Sequence, residues 1–155
     1  IGGTWKDVNT DVLFKDKRIV IFSLPGAYTP TCSSQQVPGY EEKYDELRKF
    51  VHEVYCVSVN DAFVMNAWFR DQKIYKVKPI GDGEGKFTKG MDMLVNKPKQ
   101  GFGMRSWRYS ALVEDGKVVK IFIEEGKNDN SNDNDPFKVS DADTMLRFLQ
   151  ERLNY

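Results

Sequence analysis

Residues 18–36 read Arg18-Ile19-Val20-Ile21-Phe22-Ser23-Leu24-Pro25-Gly26-Ala27-Tyr28-Thr29-Pro30-Thr31-Cys32-Ser33-Ser34-Gln35-Gln36, and this stretch decides the fold. Ile19 to Phe22, with Leu24, form an unbroken apolar run, the pattern of a strand covered on both faces. Pro25 and Gly26 stop the strand, because proline cannot donate to a ladder and glycine turns the chain at little cost. Thr31-Cys32-Ser33-Ser34 can then begin a helix, with Thr29 or Thr31 as its cap and Pro30 at a first helical position. Cys32 is thus expected near a helix N-terminus, just past the carboxyl end of a central strand. Open α/β sheets build their sites there.

Such a position favours an anion. Free backbone N–H groups and the helix dipole stabilise a thiolate over a thiol, and the thiolate is the form that attacks. Lowering the thiol pKa by about two units, roughly 2.7 kcal/mol, would leave it mostly ionised at neutral pH.

Outward from this stretch, the composition narrows the possibilities. The chain has 155 residues, with 23 Lys and Arg against 23 Asp and Glu, so no net charge steers it toward nucleic acid or anionic lipid. It reads as one domain over residues 1–155, with no apolar run of membrane-spanning length and no signal-peptide pattern. Two cysteines make no disulfide framework and favour a reducing compartment.

The remaining elements follow in order. Trp5 to Phe14 is a short helical or irregular lead-in. Pro38-Gly39 is expected to kink or break the helix after Cys32, and Tyr40, Tyr44, Leu47 and Val51 recur at helical spacing beyond it. Val54 to Val59 is a second buried strand, and Asn60 and Asp61 can cap a helix from about 62 to 71. Val77 to Ile80 is a short strand, Gly81 to Gly85 a turn, 87–94 a weak helix, and 96–106 a loop rich in Lys and Gly. Two strands around Asp115-Gly116 give a strong hairpin signal, with Arg108 to Glu114 on one side and Lys117 to Glu124 on the other. Lys127 to Asp135 is polar and low in complexity and reads as a mobile surface loop. Ser140 and Asp143 form a capping box for a last helix whose buried stripe is Met145, Leu146, Leu149 and Leu153. The order describes a thioredoxin-like α/β sandwich: a central mixed β-sheet flanked by helices, with a C-terminal β-hairpin and closing helix.

Pro25-x3-Thr29-x2-Cys32 resembles the peroxiredoxin active-site motif, and Leu24 to Ser33 resembles its peroxiredoxin-5 version. The likeness continues through 57–61, 63–68, Arg105-Ser106-Trp107-Arg108-Tyr109-Ser110 and 135–146. The last two blocks are most similar to the bacterial hybrid branch, in which a glutaredoxin domain follows the peroxidase domain. This resemblance implies a thiol peroxidase for hydrogen peroxide and alkyl hydroperoxides, acting through a sulfenic acid at Cys32. It implies that Pro25 shields the thiolate, that the Thr29 hydroxyl meets the peroxide oxygens, and that Arg108 faces the sulfur. Arg105 is the rival guanidinium, set aside because Tyr109-Ser110 after Arg108 repeats the family context. No metal or organic cofactor is implied, only an external thiol such as glutathione with glutaredoxin, or thioredoxin. Members of the family often pair as homodimers; Tyr28, Phe102 and Trp107 are the exposed aromatics expected there. The family usually has an N-terminal β-hairpin before the point at which this chain opens. A cytoplasmic setting is expected, or an organellar matrix if a targeting segment precedes Ile1.

Other residues have plainer readings. Cys56, inside a strand, is expected to be a buried structural thiol rather than a resolving cysteine, implying a 1-Cys mechanism. His52 is placed at a helix end and makes no metal cluster; Met91, Met93 and Met104 are gap-filling core or pocket wall. Two other functions remain on the sequence: a thiol-disulfide oxidoreductase, weakened by Gln35 where Cys-x-x-Cys needs its second thiol, and a redox-sensing or chaperone module.

Overall fold

The computed structural model describes residues 9–29, 35–99, 101–129 and 136–153. Strand β1 (Arg18–Ser23) lies at the middle of a five-stranded sheet of order β3-β2-β1-β6-β7. It runs parallel to β2 (Glu53–Ser58), which is parallel to β3 (Lys78–Gly81), and antiparallel to β6 (Tyr109–Glu114). β7 (Lys117–Ile123) completes the sheet as the antiparallel partner of β6. The mixed sheet flanked by helices is the thioredoxin-like architecture expected from the sequence.

The continuous apolar run is explained by cover on both faces. Val20, Phe22 and Leu24 join a core with Tyr40, Met65, Trp68, Met145 and Leu149. Ile19 and Ile21 point the other way, into a second core with Phe14, Met93, Trp107, Tyr109 and Ala111. Each such side chain, fully buried, is worth about 1.5–3 kcal/mol. A slip of one residue in β1 would exchange its two faces, so the register is firmly set.

Helices α2 (Val37–Glu42), α3 (Tyr44–Leu47), α4 (Ala62–Asp71) and α6 (Ala142–Leu153) supply the first core; α1 (Thr10–Phe14) supplies Phe14 to the second. Tyr40 stacks on Phe22 with ring centroids 3.9 Å apart and donates its hydroxyl to the Ser140 carbonyl at 2.8 Å. Burial pushes the Tyr40 phenol pKa upward, which keeps it a neutral donor. α2 is thereby fixed to both the central strand and the start of α6.

Several sequence expectations need correction. The helix is not interrupted at Pro38-Gly39: Pro38 falls in the first turn of α2, where a missing N–H costs nothing, and the break comes at Lys43. Residues 96–106 are not a simple loop, because β4 (Leu94–Lys97) and β5 (Gly103–Ser106) pair as an antiparallel ribbon. Lys97 disguised it: this lysine is buried, with Nζ 4.8 Å from the Trp107 ring centroid, so a charged residue occupies an apolar position through its stem. The last helix is capped by Asp141, whose carboxylate accepts from Thr144 N at 3.3 Å, because the Ser140 hydroxyl is engaged with Glu124 at 2.6 Å. Met104 is exposed rather than core, and Trp107 is buried rather than available to a partner chain. His52 precedes β2, its Nδ1 accepting from Arg18 N at 2.9 Å.

Other expectations stand. Asp61 caps α4 through Val64 N, and Asp115-Gly116 turns the β6–β7 hairpin with both residues at positive φ. α5 (Lys86–Gly90), by contrast, is shorter than the helix expected over 87–94, because Leu94 already opens β4. The surface segment differs from the mobile loop expected: its start is tied down, with Lys97 Nζ donating to Asn128 Oδ1 and Asn96 N to Asp129 Oδ1, while 130–135 lie outside the described residues.

Candidate active site at the carboxyl end of the central strand

Beyond Ser23 the chain leaves the sheet and closes on itself. The Thr29 hydroxyl donates to the Gly26 carbonyl at 2.8 Å, and the Thr29 N–H reaches the same oxygen at 3.4 Å. With its one proton committed to Gly26, the buried hydroxyl can only accept from any further partner. Tyr28 adopts the left-handed region at φ +64, which costs a non-glycine residue roughly 1–2 kcal/mol. Its hydroxyl donates to Asp71 at 2.6 Å and its ring approaches Trp68, so α4 fixes this residue from outside.

Two further groups brace the turn from neighbouring elements. Asn60 Oδ1 accepts from Ala27 N at 3.0 Å and from the Ser58 hydroxyl at 2.7 Å. Asn60 thus spends its side chain on the loop after β1, while Asp61 alone caps α4. Arg105, on β5, donates Nη1 to the Pro25 carbonyl at 3.4 Å and Nε to Phe102 O at 3.1 Å. It passes so close to Gly26 that a Cβ there would lie 2.5 Å from Nη1. Pro25 and Thr29 therefore belong to one braced turn.

Arg108 stands between β5 and β6 and is only 1% exposed. Its Nη1 donates to Oε1 of Gln36, itself wholly buried, and its guanidinium carbon lies 5.9 Å from the Phe137 ring centroid. A neutral amide oxygen takes one N–H without cancelling the charge, as a carboxylate would. Gln36 Nε2 reaches back to Ser23 O at 3.5 Å, which ties this pair to the end of β1. Burial excludes a surface role for Arg108. Gln36 was missed because nothing in a Gln-Gln pair at a helix start announces a partner 72 residues away.

Cys32 lies outside the described residues, as do Pro30 and Thr31, so the expected helix start there is not described either. Cys56 sits in the middle of β2, fully buried, registered against Phe22 and Pro79. The burial is as the sequence anticipated. Among the described residues no group of three or more His, Cys, Asp or Glu could hold a metal ion, and no helix is long and apolar enough to cross a membrane.

Comparison with known proteins converges on one family. The Redoxin family matches residues 3–146. A hybrid peroxiredoxin, hyPrx5, of Haemophilus influenzae is 54% identical over 149 residues, which cover 96% of this chain and 60% of that protein. The chain therefore spans less than two thirds of that relative's length. Among solved structures, the 1-Cys peroxiredoxin of Plasmodium falciparum is 41% identical with a TM-score of 0.88, covering 93% of this chain and 84% of the other. Reduced Prx3 of Vibrio vulnificus, solved with H2O2, is 35% identical with a TM-score of 0.83, again covering 93% and 84%. With a Redoxin match over nearly its whole length, and relatives about half identical to it, the chain belongs to the peroxiredoxins.

Proposed function

We propose that this chain reduces hydrogen peroxide and alkyl hydroperoxides through the Cys32 thiolate. A sulfur lone pair attacks the distal peroxide oxygen; the S–O bond forms, the O–O bond breaks, and the departing oxygen leaves as water or alcohol after taking a proton. Cys32 becomes a sulfenic acid. The observation that carries this reading is the buried Arg108, a permanent cation held by a neutral amide four residues past Cys32. Such a fork lowers the thiol pKa and stabilises charge moving onto the leaving oxygen. Thr29, its own proton given to Gly26, accepts the peroxide O–H, and Pro25 screens the sulfur from water. No metal or organic cofactor takes part.

One thiol condenses with the sulfenic acid to a mixed disulfide and water; a second releases Cys32. We infer glutathione with glutaredoxin as the reductant, supported by the hybrid relative, with thioredoxin second and Cys56 uninvolved. The partner is a second copy of this chain, docked where Tyr28 (52% exposed) and Phe63 on α4 (68% exposed) are open to solvent. The setting inferred is the cytoplasm, or an organellar matrix if a targeting segment precedes Ile1. The test is peroxide turnover by the wild type, Cys32→Ser and Cys56→Ser under each reducing system. Activity surviving in Cys32→Ser ends the peroxidase reading; loss in Cys56→Ser would make that thiol a participant.

A further inference from the structure

Glu124 follows the last residue of β7 and is 2% exposed. Its carboxylate accepts from the N–H groups of Lys138 (2.8 Å), Val139 (2.9 Å) and Ser140 (2.8 Å), and from the Ser140 hydroxyl (2.6 Å). Three successive peptide N–H groups converging on one carboxylate replace the hydration that burial removed. The Glu124 backbone serves the other side of the same joint. Its N–H donates to Arg108 O at 3.2 Å, and its carbonyl accepts the Trp107 indole N–H at 2.7 Å. One residue therefore holds both the Arg108 peptide and the segment that begins beside Phe137, whose ring faces the guanidinium. Tyr40, bonded to the Ser140 carbonyl, closes the joint against the central strand.

We propose that Glu124 is a positioning residue for Arg108: its carboxylate clasps 138–140, seats Phe137 against the guanidinium, and so fixes the direction of a charge it never touches. This rests on Arg108 as the group facing sulfur and peroxide. A carboxylate suits the task because every partner is a donor. In Glu124→Gln one oxygen becomes an NH2 aimed at N–H groups, which breaks the clasp at nearly unchanged volume.

A matched control lies elsewhere in the molecule. Glu41 clasps the N–H groups of Tyr75, Lys76 and Val77 in the same manner, at the far end of α2. The experiment measures, on the intact chain, the second-order rate with H2O2 and the Cys32 thiol pKa from the pH dependence of alkylation. Glu124→Gln is expected to slow peroxide reduction about tenfold or more and to raise the thiol pKa, while Glu41→Gln leaves both within about twofold. A folded Glu124→Gln with unchanged rate and pKa overturns the proposal, as does an equal loss in Glu41→Gln. Should Glu124→Gln fail to fold, Phe137→Ala carries the test, and an unchanged rate and pKa there overturn it. The underlying reading fails separately, by an unchanged rate in Arg108→Met; a slow Arg108→Met beside an intact Glu124→Gln removes only the positioning role.

Discussion

Arg105 and Arg108 stand three residues apart on either side of Trp107, carry the same charge, and work on opposite sides of one problem. Arg105 is half-buried and gives its hydrogen bonds to backbone carbonyls, Phe102 O and Pro25 O. Burial draws its pKa downward, yet a guanidinium stays charged throughout the physiological range. Arg108 is buried, with Nη1 donating to Gln36 and the guanidinium beside the Phe137 ring. One cation braces a loop, and the other is the one proposed to meet the sulfur and the peroxide. Position in the fold, rather than residue type, assigns the two roles.

The widest separation between them is expected in catalysis. Arg108→Met should lower the second-order peroxide rate by about a thousandfold, the scale for removing a preorganised donor at a developing oxyanion. Arg108→Lys should recover part of this, since it restores charge without the planar fork. Arg105→Met should cost only a few-fold. Stopped-flow kinetics on the three variants measures the ordering; an Arg105→Met as slow as Arg108→Met would erase the distinction.

Next in size is Thr29, which the Arg105-braced turn presents. Thr29→Val keeps the shape, loses the bond to Gly26 O, and removes the acceptor proposed for peroxide. A loss of about 10–100-fold in rate is expected, with stability lowered by about 1 kcal/mol. Thr29→Ser should retain most of both. If Thr29→Val keeps the full rate in the same kinetic assay, the hydroxyl is a turn-former only.

The division between these arginines was only half legible in the sequence. The run from Ile19 to Leu24 announces a doubly covered strand because its residues are apolar without alternation, and Asp115-Gly116 announces its hairpin through local backbone needs. Asp61 is legible as a cap for the same reason: its partner, Val64 N, is three residues away. Gln36, Lys97 and Glu124 were not legible, because each is a polar residue made suitable for the core by a partner distant along the chain. Ser140 was misread as a cap because its hydroxyl is claimed by Glu124, 16 residues earlier. Local patterns report what the backbone can do; a buried polar contact depends on what tertiary packing brings beside it.

The smallest expected effect isolates the bracing role by itself. A methyl at Gly26 would lie 2.5 Å from Arg105 Nη1 and 3.6 Å from Asn60 Oδ1, so the guanidinium must withdraw while the Asn60 contact survives. The obstructing atom is the end of a flexible side chain, and it can move without dragging β5. Gly26→Ala should therefore cost about 1 kcal/mol, roughly the value of the hydrogen bond to Pro25 O that is lost. Arg105→Met removes the same bond by deleting the donor and should cost a similar amount. Two changes acting through one contact are not additive, so the double variant should be no less stable than the weaker single one. In Arg105→Met, moreover, the alanine methyl meets no guanidinium. Chemical denaturation of the four proteins gives the coupling energy directly. Additive losses would mean that the methyl acts on the backbone of the turn and not through Arg105.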